Sequence, residues 1–515
     1  MTASLVHDTD VLIIGAGPTG LVLALWLTRL GVRVRIVDKT AEPGTTSRAL
    51  AIQARTLELY SQIGLADAVI ERGRKNIAVN LWVAGKRAAH AVLGEMGTGL
   101  SPFPYALIFP QDEHERLLVD RLAAAGVQVE RRTELLGFED EAGRVFAHLK
   151  RPDGTEETCA ATYIAGCDGA HSVVRETLRI GFAGGVYDHL FYVADVEASG
   201  ATMNGELHVA LDRTDFLAVF PLKGAGRARL IGTVRKEAEH QQEDLSWNDV
   251  SRRVLEWIGI DVERVNWFST YRVHHRVAAH FRTGCAFLLG DAAHIHSPVG
   301  GQGMNTGIGD AVNLAWKLAA VLQGRADASL LDSYEPERIA FARRLVATTD
   351  RAFTAVTSSG AIARLVRLHI VPLLIAPFFA LKAARRFMFR TVSQTAVNYR
   401  ESTLSEGHAG TVHGGDRLPW VKSGEDGIDN FTPLTSLDWQ VHVYGDAASE
   451  VQTLCDGRKL PLHVFPWRPE VGQTGLRRNA VYLVRPDGYV ALADPEGSAA
   501  AVSSYLNARK VTARH

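Results

Sequence analysis

Apolar and polar positions along the chain alternate between two periods, and the changes of period mark out its elements. Val11-Leu12-Ile13-Ile14 is an unbroken apolar run that reads as a strand buried on both faces. The run Leu21–Leu30, closed by Gly31, has helical texture, and Val32–Ile36 alternates as a strand ending at Val37-Asp38. Tyr163–Cys167 and Ala286–Leu289 predict two further buried strands. Ile308, Val312, Ala315, Leu318 and Leu322 fall on one side of a predicted helix. Alternation dominates in the layer that holds Gly205–Leu211, Phe216–Leu222 and Arg229–Val234, predicting half-buried antiparallel hairpins. Strand-like runs return near the C-terminus at Trp439–Tyr444, Leu462–Phe465 and Ala480–Val490, after the Gly414–Pro419 break.

Glycines sit where the apolar strands end. Gly15-Ala16-Gly17-Pro18-Thr19-Gly20 follows the first strand and opens the first helix, with Asp38 about 20 residues on, which is the dinucleotide fingerprint. Gly15 would make the turn, Gly17 admit a pyrophosphate and Gly20 let the helix pack, while Asp38, with Lys39 beside it, would meet ribose hydroxyls. The third strand runs into Asp168-Gly169-Ala170-His171-Ser172-Val173-Val174-Arg175, where Ser172 reads as a helix N-cap and Arg175 as a solvated arginine. The fourth runs into Gly290-Asp291-Ala292-Ala293-His294 and then Pro298-Val299-Gly300-Gly301-Gln302-Gly303-Met304-Asn305. A carboxylate, a bare glycine backbone and a helix start suit a flat, electron-rich ring carrying a sugar alcohol.

These three motifs, in this order, resemble the single-component FAD-dependent aromatic hydroxylases with the para-hydroxybenzoate hydroxylase fold, over about residues 8 to 400. Thr46-Ser47-Arg48-Ala49, Arg55-Thr56-Leu57-Glu58 and Pro110-Gln111 with Glu115-Arg116-Leu117 fit the same family. The resemblance implies an α/β chain: a Rossmann-like FAD-binding domain (residues 1–75, 106–180 and 271–360), a mixed antiparallel sheet over the substrate (76–105 and 181–270), a helical segment (361–404) and a thioredoxin-like C-terminal domain (405–515), as in the phenol and polyketide hydroxylase branches. It further implies hydroxylation of a phenolic or polycyclic aromatic by O2 and NADH or NADPH, through a flavin C4a-hydroperoxide, without a protein nucleophile. FAD would be held by Gly15, Gly17, Pro18, Thr19, Gly20, Asp38, Lys39, Arg48, Gln111, Asp168, Asp291, Pro298, Gly301, Gln302, Gly303, Met304 and Asn305. Pro298 would border the reactive edge, and Arg48 would touch the pyrophosphate or the flavin's mobile face. Tyr192, His208, Phe216 and Phe220 are candidates to meet the substrate, and Tyr192, His208, His294 and His296 to receive a phenolic proton. Epoxidation, Baeyer–Villiger oxidation, reduction or mere flavin binding on the same fold are the alternatives. A halogenase is disfavoured, because the tryptophan-centred WxWxIP motif is missing.

Composition narrows this further. The formal net charge of −1 on 515 residues gives no footprint for nucleic acid or an anionic membrane. Four scattered cysteines (Cys159, Cys167, Cys285, Cys455) give no metal-ligand spacing and fit a reducing cytosol; no signal peptide is evident. Cys455 stands alone after residue 405, so the C-terminal domain reads as structural or dimer-forming rather than redox-active. Ile370–Leu381 is apolar between basic flanks, but it is short and carries Pro372 and Pro377. It reads as a packed or dimer-face helix rather than a membrane segment. A monomer or homodimer in the cytoplasm is expected.

Overall fold

The computed structural model describes residues 6–44, 49–76, 78–92, 96–211, 216–234, 245–297, 299–357, 381–422 and 429–514. Its first layer is an eight-stranded sheet with four parallel strands at the centre. Val34–Asp38, Val6–Ile14, Glu156–Gly166 and Ala286–Leu288 lie side by side in that order, and Val129–Arg131 extends the sheet beyond the first. The central stretches of these strands are apolar because helices cover them; Val11, Leu12, Ile13, Ile164, Phe287 and Leu288 are fully buried. The helices Pro18–Arg29, Gln111–Ala124 and Gly303–Leu322 pack together against this sheet.

Register decides what this sheet can do. Ile14 pairs with Val37 on one side and Gly166 on the other, and Gly166 pairs with Leu288. The turn at Gly15, the acid Asp38, the acid Asp168 and the Gly290-Asp291 turn therefore all leave one carboxyl edge of the sheet. Ligands of open α/β sheets bind at that edge.

A second eight-stranded sheet runs in the order His294–Ile295, Asp261–Ala278, Phe182–Ser199, Arg227–Thr233, Phe216–Pro221, Leu207–Leu211, Ala78–Val83, Lys86–Val92. The predicted hairpins are present, and the strand at Asp261–Ala278 continues the sheet past residue 270. Its two faces bury different clusters. Tyr192, Ala194, Val196, Leu217, Val219 and Leu230 face the helix Arg252–Ile258. Phe191, Val193, Phe216, Phe220, Ile231, Trp267 and Tyr271 lie on the other face, with Leu50 and Ile108.

The last hundred residues form a six-stranded sheet ordered Val412–His413, Glu406–Ala409, Val490–Asp494, Val481–Val484, Gln440–Tyr444, Leu462–Phe465. The first two strands of its core are parallel and joined by the helix Ser449–Arg458; an antiparallel hairpin and the helix Ala499–Ala508 follow. Cys455 is buried in that first helix, and burial pushes its thiol up to about 11, which suits a small apolar residue rather than a reactive thiolate. Among the described residues no helix is long and apolar enough to cross a membrane. The apolar stretch at Ile370–Leu381 falls almost wholly outside the described residues.

Candidate flavin and substrate site

The glycine turn has the geometry its sequence demands. Gly15 holds φ +100°, and a Cβ there would lie 2.3 Å from the Cys167 carbonyl oxygen. A Cβ on Gly20 would lie 2.0 Å from the Gly15 carbonyl oxygen, so only glycine lets the helix seat on the turn. At Gly17 a Cβ would meet nothing within 4 Å. That opening faces the first turn of Pro18–Arg29, whose N-cap Gly17 has no side chain to satisfy its N–H groups. Asp38 closes the unit: it accepts from the Ala16 N–H at 2.7 Å and from the Thr40 N–H and hydroxyl at 2.7 and 2.6 Å. Lys39 is exposed beside it. Thr19 packs under the other glycine turn, since a Cβ on Gly290 or Gly307 would lie 2.7 or 2.3 Å from its hydroxyl.

Asp168 is half-buried at the same edge. One carboxylate oxygen accepts from the Val174 N–H at 3.2 Å, and the other is buried without a hydrogen-bond partner. Burial raises its pKa, against the opposing bonds from Ser172 and Val174. Ser172 is the expected N-cap, accepting from the Arg175 N–H at 3.0 Å. Arg175 is not solvated, which corrects the reading from sequence. It is 6% exposed, donates to the Ala292 and Ala170 carbonyls at 2.9 and 2.8 Å, and lies 4.0 Å over the Phe182 ring. It thereby clamps the second motif onto the third.

The third motif is held by charges that sequence reasoning missed. Asp310, fully buried on the helix Gly303–Leu322, accepts from the Gly290 N–H at 2.9 Å, pairs with His294 Nε2 at 2.7 Å and takes Arg338 Nε at 2.6 Å. Burial alone would raise its pKa; Arg338 and His294 outweigh that and lower it. The one acid in a mostly apolar helical run was the available signal, because a buried carboxylate must be paired. His294 buttresses the turn rather than reaching out of it. Asp291 is exposed in the single turn Gly290–Ala292.

Gly300 and Gly301 then take positive φ (77° and 61°), and the chain enters the long helix at Gly303 with Gln302 as N-cap. Asn305 pins this entry. It donates to the Ala51 and Gly301 carbonyls at 2.8 Å each, and accepts from the Gln53 N–H at 2.9 Å and the Thr56 hydroxyl at 2.7 Å. Met304 packs partly buried on the main core. His296 lies beside Gly303; burial and the neighbouring His294 lower its pKa to about 4, and its Nε2 is buried without a hydrogen-bond partner. Gln111 starts the helix Gln111–Ala124, donating its backbone N–H to the Ala49 carbonyl and its amide to Glu115. Arg48 and Pro298 lie outside the described residues.

The strand Ala51–Ile52 joins this edge to the second sheet, because its neighbour Leu50 packs against the aromatic face carrying Val193, Phe216 and Phe220. Phe191 meets Phe216 edge-on at 6.4 Å and Tyr271 at 6.1 Å. Tyr192 and His208, the other two substrate candidates, do not share that face. Tyr192 is 3% exposed and stacks on Phe268 at 6.0 Å, in the cluster closed by Arg252–Ile258. His208 accepts from Trp82 Nε1 at its Nδ1 (3.0 Å) and meets Asn204 through Nε2 (2.9 Å), so both ring nitrogens are committed, and burial lowers its pKa. Among the described residues no cluster could hold a metal ion.

Residues 8–349 match the family model described as an FAD binding domain. The chain is 32% identical to 6-methylpretetramide 4-monooxygenase of Streptomyces rimosus, over 97% of this chain and 93% of that one. Over 66% of its length it is 34% identical to pentachlorophenol 4-monooxygenase of Sphingobium chlorophenolicum. Among solved structures, the anhydrotetracycline hydroxylase OxyS from Streptomyces rimosus superposes with a TM-score of 0.75 at 27% identity, covering 97% of this chain and 99% of that one.

Proposed function

The chain belongs to this FAD-binding family and is an FAD-dependent aromatic monooxygenase, and from that premise we propose what each part of its site does. The residues fit the cofactor: the opening at Gly17, the buried unpaired oxygen of Asp168 and the twin positive-φ glycines before a helix start are what a dinucleotide and a flat ring require. In this reading Gly15, Gly17, Pro18, Thr19 and Gly20 receive the pyrophosphate. Asp38 and Lys39 border the adenosine ribose, and Gln111, Asp168 and Asp291 hold the remaining hydroxyls. Gly301 to Asn305 present the helix N-terminus to the electron-rich edge of the ring. FAD held by these residues would supply reduction by a nicotinamide coenzyme and activation of O2, one oxygen atom going to the substrate and the other to water.

The protein's own contribution is placement and electrostatics. Asn305 and Asp310 hold the helix start and the Gly290 turn in fixed relation, so the dipole is aimed before any charge develops. Arg48 and Pro298 keep the roles the family resemblance gives them. The face bearing Phe191, Phe216, Phe220, Trp267 and Tyr271 supplies an apolar, aromatic wall that excludes water and orients a flat guest. A polycyclic phenolic suits that breadth better than a simple benzoate. Domain limits follow the sheets: the parallel sheet and its helices bind FAD, the second sheet roofs the substrate, and residues 405–515 form a thioredoxin-like domain with a structural task.

The observation that carries this reading is the common register of Ile14, Val37, Gly166 and Leu288, which delivers three separate motifs to one edge. The test is NADH and NADPH oxidation by the FAD-loaded protein in air, with a panel of phenols and polycyclic phenolics. Stimulated oxidation with a product heavier by one oxygen is expected. Stimulation that yields only hydrogen peroxide, for every compound, would refute hydroxylation of this class.

A further inference from the structure

The helix Lys382–Val392 carries three cations on the side that also buries a phenylalanine. Lys382, Arg385, Arg386 and Phe389 stand at i, i+3, i+4 and i+7 and so share one face. That face turns inward at its far end, where Phe389 is 5% exposed and a Cβ on Gly97 would lie 2.6 Å from its ring; Arg385 and Arg386 are half-buried and Lys382 is exposed. Phe387, on the opposite side, is 69% exposed. On the same face as a buried phenylalanine, three cations and Thr98 line a cavity of about 280 Å³ that opens to solvent. Such a volume is near the small end of ligand sites.

The cations stand in the first turns of the helix, where the macrodipole is already positive and no acidic residue offsets it. Nearby acids are occupied elsewhere: Asp416 pairs with Arg400, and Glu58 with Arg55 and Arg417. Further along, burial and then the neighbouring cations Arg417, Arg386 and Arg400 lower the pKa of Arg390, with Asp416 opposing them. Positive potential focused into a recess of this kind selects a multiply charged anion.

The far end of the helix touches the flavin site. The Ser393 carbonyl accepts from the Arg55 N–H, and Gln394 donates to the Thr306 hydroxyl at 2.9 Å. From Arg385 to Gln394 the helical rise amounts to about 14 Å, within reach of an extended dinucleotide. The chain's glycine fingerprint at Gly15–Gly20 is taken by FAD in the function proposed above, so the phosphates of the reducing coenzyme need another seat. We propose that the cavity between Thr98 and Lys382, Arg385 and Arg386 is the docking site for the adenosine 2′-phosphate of NADPH. The two arginines supply paired N–H donors to the phosphate.

This inference rests on the monooxygenase reading only in requiring a nicotinamide coenzyme. Its test is equilibrium binding of NADP+ and NAD+ to the FAD-loaded protein, wild type and Arg385→Ala/Arg386→Ala, with flavin content and circular dichroism as checks on folding. Should the double variant fold poorly, Lys382→Gln is read in its place. NADP+ affinity is expected to fall at least about tenfold, as for loss of a charge-assisted phosphate contact. NAD+ affinity, lacking the phosphate, should stay within about threefold. Equal loss for both coenzymes, or none for either, overturns the proposal while leaving oxygen insertion by the wild type untouched. Sedimentation with phosphatidylserine vesicles is the second arm. Vesicle binding lost in the variant, with NADP+ affinity intact, would assign the face to a lipid surface and overturn it as well.

Discussion

Two buried polar centres flank the helix Gly303–Leu322, and they treat their charges in opposite ways. Towards the C-terminal domain every charge is matched. Arg485, fully buried, grips Glu337 at 2.7 and 3.0 Å and Asp487 at 3.0 and 2.6 Å. Glu337 also takes Lys317, Asn313 and Ser402, while Asp487 accepts from Trp316 and offers its carbonyl to Arg55. Burial pushes Lys317 down to about 8 with Glu337 resisting; burial would raise Glu337, but Arg485 and Lys317 outweigh it and lower it. At the carboxyl edge of the parallel sheet, by contrast, one oxygen of Asp168, Nε2 of His296 and the Ser297 hydroxyl are buried with no partner. A closed network fixes two domains against each other; an open one costs stability unless a ligand completes it.

The largest effect is expected from opening the closed network. Arg485→Ala leaves Glu337 and Asp487 buried without their cation and should lower stability by about 3–5 kcal/mol. Chemical denaturation of the flavin-free protein would show this as an earlier transition. A midpoint within error of wild type would mean that the network is ornamental. Glu337→Gln, which keeps shape and some bonds, should fall between.

The same contrast runs through the second sheet, where one face is sealed by Arg252–Ile258 and the other carries half-buried aromatics. Tyr192→Ala should cost about 3 kcal/mol, as for other large-to-small changes in a packed core, and leave substrate KM alone. Phe216→Ala should cost less than about 1.5 kcal/mol, because the ring is only half-buried, and raise KM instead. Thermal melts and steady-state kinetics on the pair would break the assignment if the effects were exchanged.

How much of this was legible in the sequence depends on whether a residue's role is set by its neighbours in the chain. Gly15, Gly20, Gly300 and Gly301 announced themselves, since their backbone angles and close approaches exclude a side chain locally. Ser172 was legible as a cap for the same reason. Tyr192 and Phe216 were not separable: alternation gives each strand two faces, but only the packing of the helix Arg252–Ile258 shows which face of the sheet is sealed. Arg175 read as solvated because its acceptor, the Ala292 carbonyl, is 117 residues distant. Asp310 with Arg338, and Arg485 with Glu337, were invisible as pairs, although Asp310 within an apolar helix was a usable warning. Arg485 and Asp487 lay within the strand-like run Ala480–Val490, and the partner that buries Arg485, Glu337, is 148 residues away.

A smaller effect tests the open centre. Asp168→Ala should weaken FAD binding by about tenfold to a hundredfold, the range for a hydrogen bond to a charged group. The flavin-free melt should move little, because Ser172 still caps the helix. Since burial raises the Asp168 pKa and ribose hydroxyls donate to the carboxylate form, FAD affinity of the wild type should fall as pH drops through that raised value. The alanine variant should lose that pH dependence; keeping it would place the titrating group elsewhere.

The smallest effect compares the two regions through their neutral histidines. His114 lies between Tyr60 and Phe109 in the flavin-binding layer, and His442 beside Gln440 and Phe465 in the C-terminal sheet. Burial lowers each to about 3 from an ordinary 6.5. The unfolded chain therefore binds more protons than the folded one between those limits. Each histidine's contribution is intact above pH 6.5 and lost as pH falls towards the folded pKa, by about 1 kcal/mol between pH 6.5 and 5.5. His114→Gln and His442→Gln keep a polar partner for their neighbours but cannot take up the proton, so each should flatten the acid limb of the stability curve by that amount. If the closed network couples the domains into one cooperative unit, either substitution alone shifts a single transition. Two separate transitions, each answering to its own histidine, would show that the paired charges dock the C-terminal domain without making it fold with the rest.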